Sequence, residues 1–193
     1  MTHASLKKFW HADGGVAAIE MSFILPFLLL LYFGLLDLTG LVSFNRKITS
    51  VASAIGDLAG QNRNTLLKAD ITDYMFATDL IMKPTPSSKV TVRVFGYRMS
   101  GGVATQIWKT NNGKGPGCSS TPSTTEMVPL MAAGNDLVVT QACMKFEPYV
   151  ATFLGDKILG ATSFNVEQTV MVRPRSALQL TCYATVVGGA VCA

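Results

Sequence analysis

From Met21 to Leu36 the chain carries no charged residue, and the apolar character continues past Asp37 to Phe44. A helix needs about 20 apolar residues to cross a bilayer core, so this run is long enough to span one with some tilt. It is longer than the apolar region of a cleavable secretory signal, about 7–15 residues. The nearest small-x-small triplet, Ala52-Ser53-Ala54, also falls beyond the polar Asn45-Arg46-Lys47. After that exit the period is helical. Ile48, Val51, Ala52, Ile55, Leu58 and Ala59 recur at intervals of three and four and define one apolar face. The first helix is therefore expected to continue to about Gly60, where Gln61-Asn62-Arg63-Asn64 stops it.

A second helix is expected over "TLLKADITDYMFATDLIM", capped by Thr65, with Leu66, Ile71, Tyr74, Met75 and Leu80 as buried candidates and Pro84 and Pro86 beyond its end. The period then changes to two. In "KVTVRVFGYRM" Val90, Val92 and Val94 alternate with Thr91 and Arg93, the mark of a strand with one buried face. "VATQIWK" reads as its hairpin partner across Ser100-Gly101-Gly102, and "DLVVTQACMKFEP" and "SFNVEQTVMVRP" as two further strands. Between those two, "YVATFLGDKILG" is short and apolar, either a helix or an outward loop. The expected fold class is α+β: a long N-terminal transmembrane helix running into a domain with an antiparallel sheet of about four strands. The sheet is expected to bury one face on the extension of the first helix. The divisions are 1–15, 16–60, 61–83 for the second helix, and 84–193.

Composition sharpens this picture in two places. Of 193 residues 49% are hydrophobic and the mean hydropathy is +0.34, the excess lying mainly in the first segment. The net charge of +4 comes from scattered Lys and Arg, without the clustered stripe a nucleic-acid footprint needs. The four cysteines, Cys118, Cys143, Cys182 and Cys192, lie in the C-terminal half without a Cys-x-x-Cys pair, and the two histidines, His3 and His11, lie at the other end. A Cys/His zinc site is disfavoured, and no cofactor is expected. An even cysteine count after a membrane helix fits disulfides in an oxidising compartment. Of the three possible pairings, Cys182–Cys192 closes a short Gly-rich tail and leaves Cys118–Cys143 as its complement. Lys7 and Lys8 before the span balance Arg46 and Lys47 after it, so the cysteines decide the orientation in favour of an exported C-terminal domain.

A plain anchor needs neither Glu20, Pro26 nor Asp37. A carboxylate at the bilayer edge is costly unless it is paired or reaches water, so Glu20 is either solvated at the headgroups or held by a cation. Cleavage before Val16 would create an α-amino group four residues ahead of it. Pro26 removes a backbone donor and tends to kink the preceding turn. Asp37 is expected at the far interface, near Gly34 and Gly40, small residues that let another helix approach.

The segment "GGVAAIEMSFILPFLLLLYFGLLDLTGLVSFNRKITSVASAIGDLA", Gly14 to Ala59, resembles the TadE-like segment of the Tad (tight adherence) pilus assembly proteins. The elements are Gly15, a small-residue run, Glu20, Pro26 one and a half turns on, a long apolar run, Asp37, and a polar exit into an Ala-rich helix. "FEPYVATFLG" and "VMVRPRS" are a weaker echo of the same family. The resemblance implies a minor pseudopilin or pilus assembly component in the bacterial inner membrane, single-pass, with the C-terminal domain periplasmic. The expected partners are other pilins or pseudopilins, Tad inner-membrane platform proteins and a prepilin peptidase. In pilins of this general type the peptidase cuts after a Gly and Glu is the fifth mature residue; with Val16 as first, Glu20 is fifth. Gly15 and Val16 would be the processing site, residues 1–15 a cytoplasmic leader, and Glu20 the partner of a neighbouring subunit's new amine. Where the family often carries Tyr after the Glu, this chain has Met21.

The reading from a different class is a membrane-anchored periplasmic binding or sensor module, not processed by a prepilin peptidase. Enzymatic chemistry is not expected. No histidine follows His11, which excludes Ser-His-Asp and Cys-His arrangements in the exported part, and "GKGPGC" lacks the spacing of a phosphate loop. Asp70 and Asp73 read as solvated helix residues, and Tyr97 and Trp108 as core or surface aromatics.

Overall fold

A computed structural model describes residues 14–62, 65–111, 115, 117–131, 135–150, 163–175 and 179–182. The chain forms two compact units, Met1–Gly40 with Pro148–Thr162, and Leu41–Glu147 with Ser163–Ala193. Helix α1, Gly14–Gln61, runs unbroken through Pro26 and contributes to both.

In the first unit α1 is apolar all round and exposed. Phe23, Phe27 and Leu31 are 73%, 75% and 62% exposed, and none of the helix's most apolar window is buried. A helix of this kind is long and apolar enough to cross a membrane.

In the second unit the same helix becomes one-sided. Ile48, Val51, Ala52, Ile55 and Ala59 are buried, the stripe expected from their spacing. They pack on a four-stranded antiparallel sheet of order β3-β2-β4-β5, formed by β2 (Val90–Ser100), β3 (Val103–Asn111), β4 (Asp136–Phe146) and β5 (Phe164–Val172). The sheet's helix-facing residues include Val90, Val92, Val94, Val138, Ala142 and Met144. The β2–β3 hairpin turns at Gly101-Gly102, both in the left-handed region at φ 58° and 81°, as a two-residue turn matching strand twist requires. At Gly96 the ladder shifts register, and the Trp108 indole lies where a Cβ would stand, 2.3 Å away. Only glycine admits that ring. Trp108 is buried and donates to the Leu180 carbonyl at 3.0 Å, so it belongs to the core.

The opposite face of the sheet is covered too. Phe95, Tyr97, Leu137 and Val139 pack with Met127, which comes from the short helix α3 (Thr124–Met127). Burial raises the Tyr97 phenol pKa. The loop before α3 is stapled to β4 by the Cys118–Cys143 disulfide, with 5.4 Å between the Cα atoms. That pairing is the expected one. Cys182 is also disulfide-bonded; Cys192, expected as its partner, lies outside the described residues.

The second helix differs from expectation at its start. Thr65–Leu66 is a short strand, β1, paired in parallel with β6, Thr181–Cys182, and the Thr65 hydroxyl engages Thr181 at 3.0 Å. Occupied across strands, it does not cap. Helix α2 is Lys68–Met82, preceded by Leu67, whose N–H donates to the Asp70 carboxylate at 2.9 Å. Asp70 also accepts from Asn62, so it fastens the helix entry, whereas Asp73 is solvated. Leu66 and Ile71 are buried and Tyr74 and Met75 half-buried, but Leu80 is 51% exposed. The inward stripe runs through Ile71, Met75, Thr78 and Met82, and Leu80 lies about 200° around the helix from Thr78. The Tyr74 hydroxyl donates to the Leu58 carbonyl at 3.2 Å and ties α2 to the end of α1. Its pKa is raised, chiefly by burial.

Candidate functional site

The residues singled out in the N-terminal stretch all lie on α1. Gly15, at its first turn, and Gly34 have nothing within 4 Å of a built Cβ. Glu20 is exposed, one turn beyond the backbone of Val16. Among the described residues none pairs with its carboxylate. Residues 1–13, with Lys7 and Lys8, lie outside the described set. The helix thus presents an apolar surface interrupted by one carboxylate near its start, so any cation for Glu20 must come from elsewhere than the described fold.

Asp37 has partners within the chain. Its two carboxylate oxygens accept the backbone N–H groups of Tyr149 and Val150 at 2.7 and 2.8 Å, where the chain enters a helical turn. Those are donors that a helix start leaves without intrahelical acceptors, and a carboxylate there is favoured by both hydrogen bonding and the local dipole. Asp37 is therefore a tether inside the first unit, in addition to standing near Gly34 and Gly40. Most of "YVATFLGDKILG" beyond Val150 lies outside the described residues.

In the second unit three polar arrangements position the elements around α1. Asp136 is buried and receives a two-pronged contact from Arg98, Nε at 2.6 Å and Nη2 at 2.8 Å. It also accepts the Leu180 N–H, so one carboxylate joins the β2–β4 ladder to the C-terminal strand. The second is Glu167 on β5, which accepts from Ser119 Oγ at 2.9 Å, from the Ser119 and Ser120 N–H groups, and from Ser120 Oγ and Gln141 Nε2. Burial alone would raise the Glu167 pKa, but the Ser119 and Ser120 donors outweigh it and hold the carboxyl below its ordinary value. Third, β5 and the connection after it are bound to α1 by Gln168–Asn45 at 2.8 Å and by the Arg175 N–H on the Gly60 carbonyl at 2.9 Å.

Asp37 is anomalous in the sequence but its partners are not, and Asp136 and Glu167 were not among the expected site residues. A carboxylate inside a strand reading "DLVVTQAC" or "FNVEQTV" was a signal that a buried or half-buried donor set lay nearby. Among the described residues no group of three or more His, Cys, Asp or Glu is placed to hold a metal ion.

A long exposed apolar helix, long and apolar enough to cross a membrane, leads into a helix-backed antiparallel sheet. Residues 15–56 are similar to the family model described as TadE-like protein. The match covers the same Gly15, Glu20, Pro26 and Asp37 positions on which the resemblance rests. No curated protein and no solved structure matches the chain.

Proposed function

We propose that the chain is a minor pseudopilin or assembly component of a Tad-type pilus, inserted in the inner membrane by the first part of α1 with the sheet domain periplasmic. Gly15 and Val16 form the prepilin peptidase site, and the amine so exposed on one subunit pairs with Glu20 of its neighbour. Pro26 loosens the helix where it packs among others. The observation that carries this reading is Glu20, exposed and unmatched among the described residues on a helix whose surroundings are otherwise apolar. In a lipid or helix-packed environment such a charge is retained only with a cationic partner or a path to water. The TadE-like match over residues 15–56 supports the pilus context.

The test is Glu20→Gln in cells that build the pilus. The change keeps size and helix propensity and removes the charge. Membrane insertion and protein level should be unchanged while pili, counted by shear release, are lost. Pili at the parental level in that strain would defeat the pairing.

A further inference from the structure

On the sheet face turned away from α1, the β2–β3 hairpin and the disulfide-stapled loop border a half-open cleft of about 340 Å³. Arg93 and Asn111 are register partners, as are Phe95 and Lys109, so these four share one face of the hairpin. Gln106 extends the lining along β3, and Thr121 supplies the loop wall. Among the described residues two cations line the space and no carboxylate does. Among the described residues the ion pairs are Arg98–Asp136 and Arg175–Asp57, so neither Arg93 nor Lys109 is neutralised there. Among the described residues the Arg93 guanidinium makes one hydrogen bond, a 3.5 Å contact from Nη2 to the Cys118 carbonyl, while a guanidinium has five N–H donors.

This lining selects a ligand by chemistry. A guanidinium fork recognises a carboxylate through two parallel hydrogen bonds, and a nearby ammonium adds a point charge. Amide side chains and a hydroxyl can both donate and accept, as Gln106, Asn111 and Thr121 would toward a polyhydroxylated ring. Phe95, almost wholly buried in the core beneath Met127, adds only its small exposed edge to the lining. The volume is at the small end of ligand pockets, which run about 300–1,000 Å³, and suits one or two rings.

We propose that this cleft binds a carboxylated sugar of the uronic-acid class, with Arg93 and Lys109 on the carboxylate and Gln106, Asn111 and Thr121 on the hydroxyls. The Cys118–Cys143 disulfide holds the loop that supplies the Thr121 wall. The proposal is independent of how the helix assembles.

Isothermal titration of the full chain in lipid nanodiscs tests it, with D-glucuronate, glucose, acetate and glucose 6-phosphate as separate probes. Glucuronate should bind at least about tenfold more tightly than glucose, which lacks the charge, and than acetate, which lacks the ring. Arg93→Gln should weaken glucuronate about tenfold and Lys109→Gln, at an exposed site, about threefold. Because Lys109→Gln leaves the core untouched, it keeps the test valid if the Arg93 variant misfolds. Equal affinity for glucose or acetate, an unchanged affinity in Lys109→Gln and Arg93→Gln, or tighter binding of glucose 6-phosphate would overturn the assignment.

Discussion

Replacing Asp37 by Leu would keep α1 helical and apolar while deleting the acceptor of two backbone hydrogen bonds, at 2.7 and 2.8 Å to Tyr149 and Val150. Hydrogen bonds to a charged acceptor contribute about 1.5–3 kcal/mol each when the freed donor stays buried. Here Tyr149 is exposed and Val150 only half-buried, so water recovers part of that loss. The scale set by replaced helix caps, about 0.5–2 kcal/mol, is the better guide, and about 1–2 kcal/mol follows. Such a loss raises the local opening constant about 5- to 30-fold. Amide hydrogen exchange on the full chain in nanodiscs reads this directly. The 149 and 150 amides should lose protection by that factor, while Val139 and Thr140, buried in the central strand β4, should keep theirs. Asp37→Asn, which retains a neutral oxygen, should fall between. Unchanged protection at 149 and 150 in the Leu variant would refute the tether, and equal loss at Val139 would show that the effect was global unfolding.

Other outcomes follow from the second unit. Gly96→Ala places a Cβ 2.3 Å from the Trp108 indole, so thermal unfolding in detergent should show a loss of about 1–3 kcal/mol, partly restored by adding Trp108→Leu. Glu167 has a depressed pKa in the fold, so its stabilisation is complete above the ordinary glutamate value of 4.5. That stabilisation is lost as the pH falls below 4.5 through the lowered folded value, and the melting-temperature profile of Glu167→Gln should be flatter in that acid range than the parent's. Removing Cys118–Cys143 by the double Ser variant frees a loop of 25 residues' separation and should cost about 3 kcal/mol in denaturant unfolding; no loss would mean the loop's hydrogen bonds to Glu167 suffice.

The elements most legible in the sequence were those with an unambiguous period. The stripe Ile48-Val51-Ala52-Ile55-Ala59 needed only three-and-four spacing to define the face that meets the sheet, and Gly101-Gly102 between alternating runs was enough for the hairpin. Cys118–Cys143 was legible as one of three pairings. What stayed hidden depends on residues far apart in the chain. Thr65 has the chemistry of a cap, but pairing with Thr181, 116 residues away, claims it for a strand. Leu80 looked buried by type, and only the inward direction set by Ile71 and Met82 places it outside. Asp37 announced a partner by standing in an apolar run, yet two backbone amides 112 and 113 residues on have no side-chain signature. The cleft between Arg93 and Lys109 needs the strand register and the loop together, and neither cation is unusual alone.

The proposed function rests on Gly15 and Glu20 being spaced for processing and for pairing between subunits. It is tested most directly by the intact mass and N-terminal sequence of the protein extracted from membranes of cells that carry their own prepilin peptidase. The expected product begins at Val16, with Glu20 as its fifth residue. A chain still beginning at Met1 would contradict it, leave Glu20 an interfacial carboxylate, and make the protein an unprocessed anchored module.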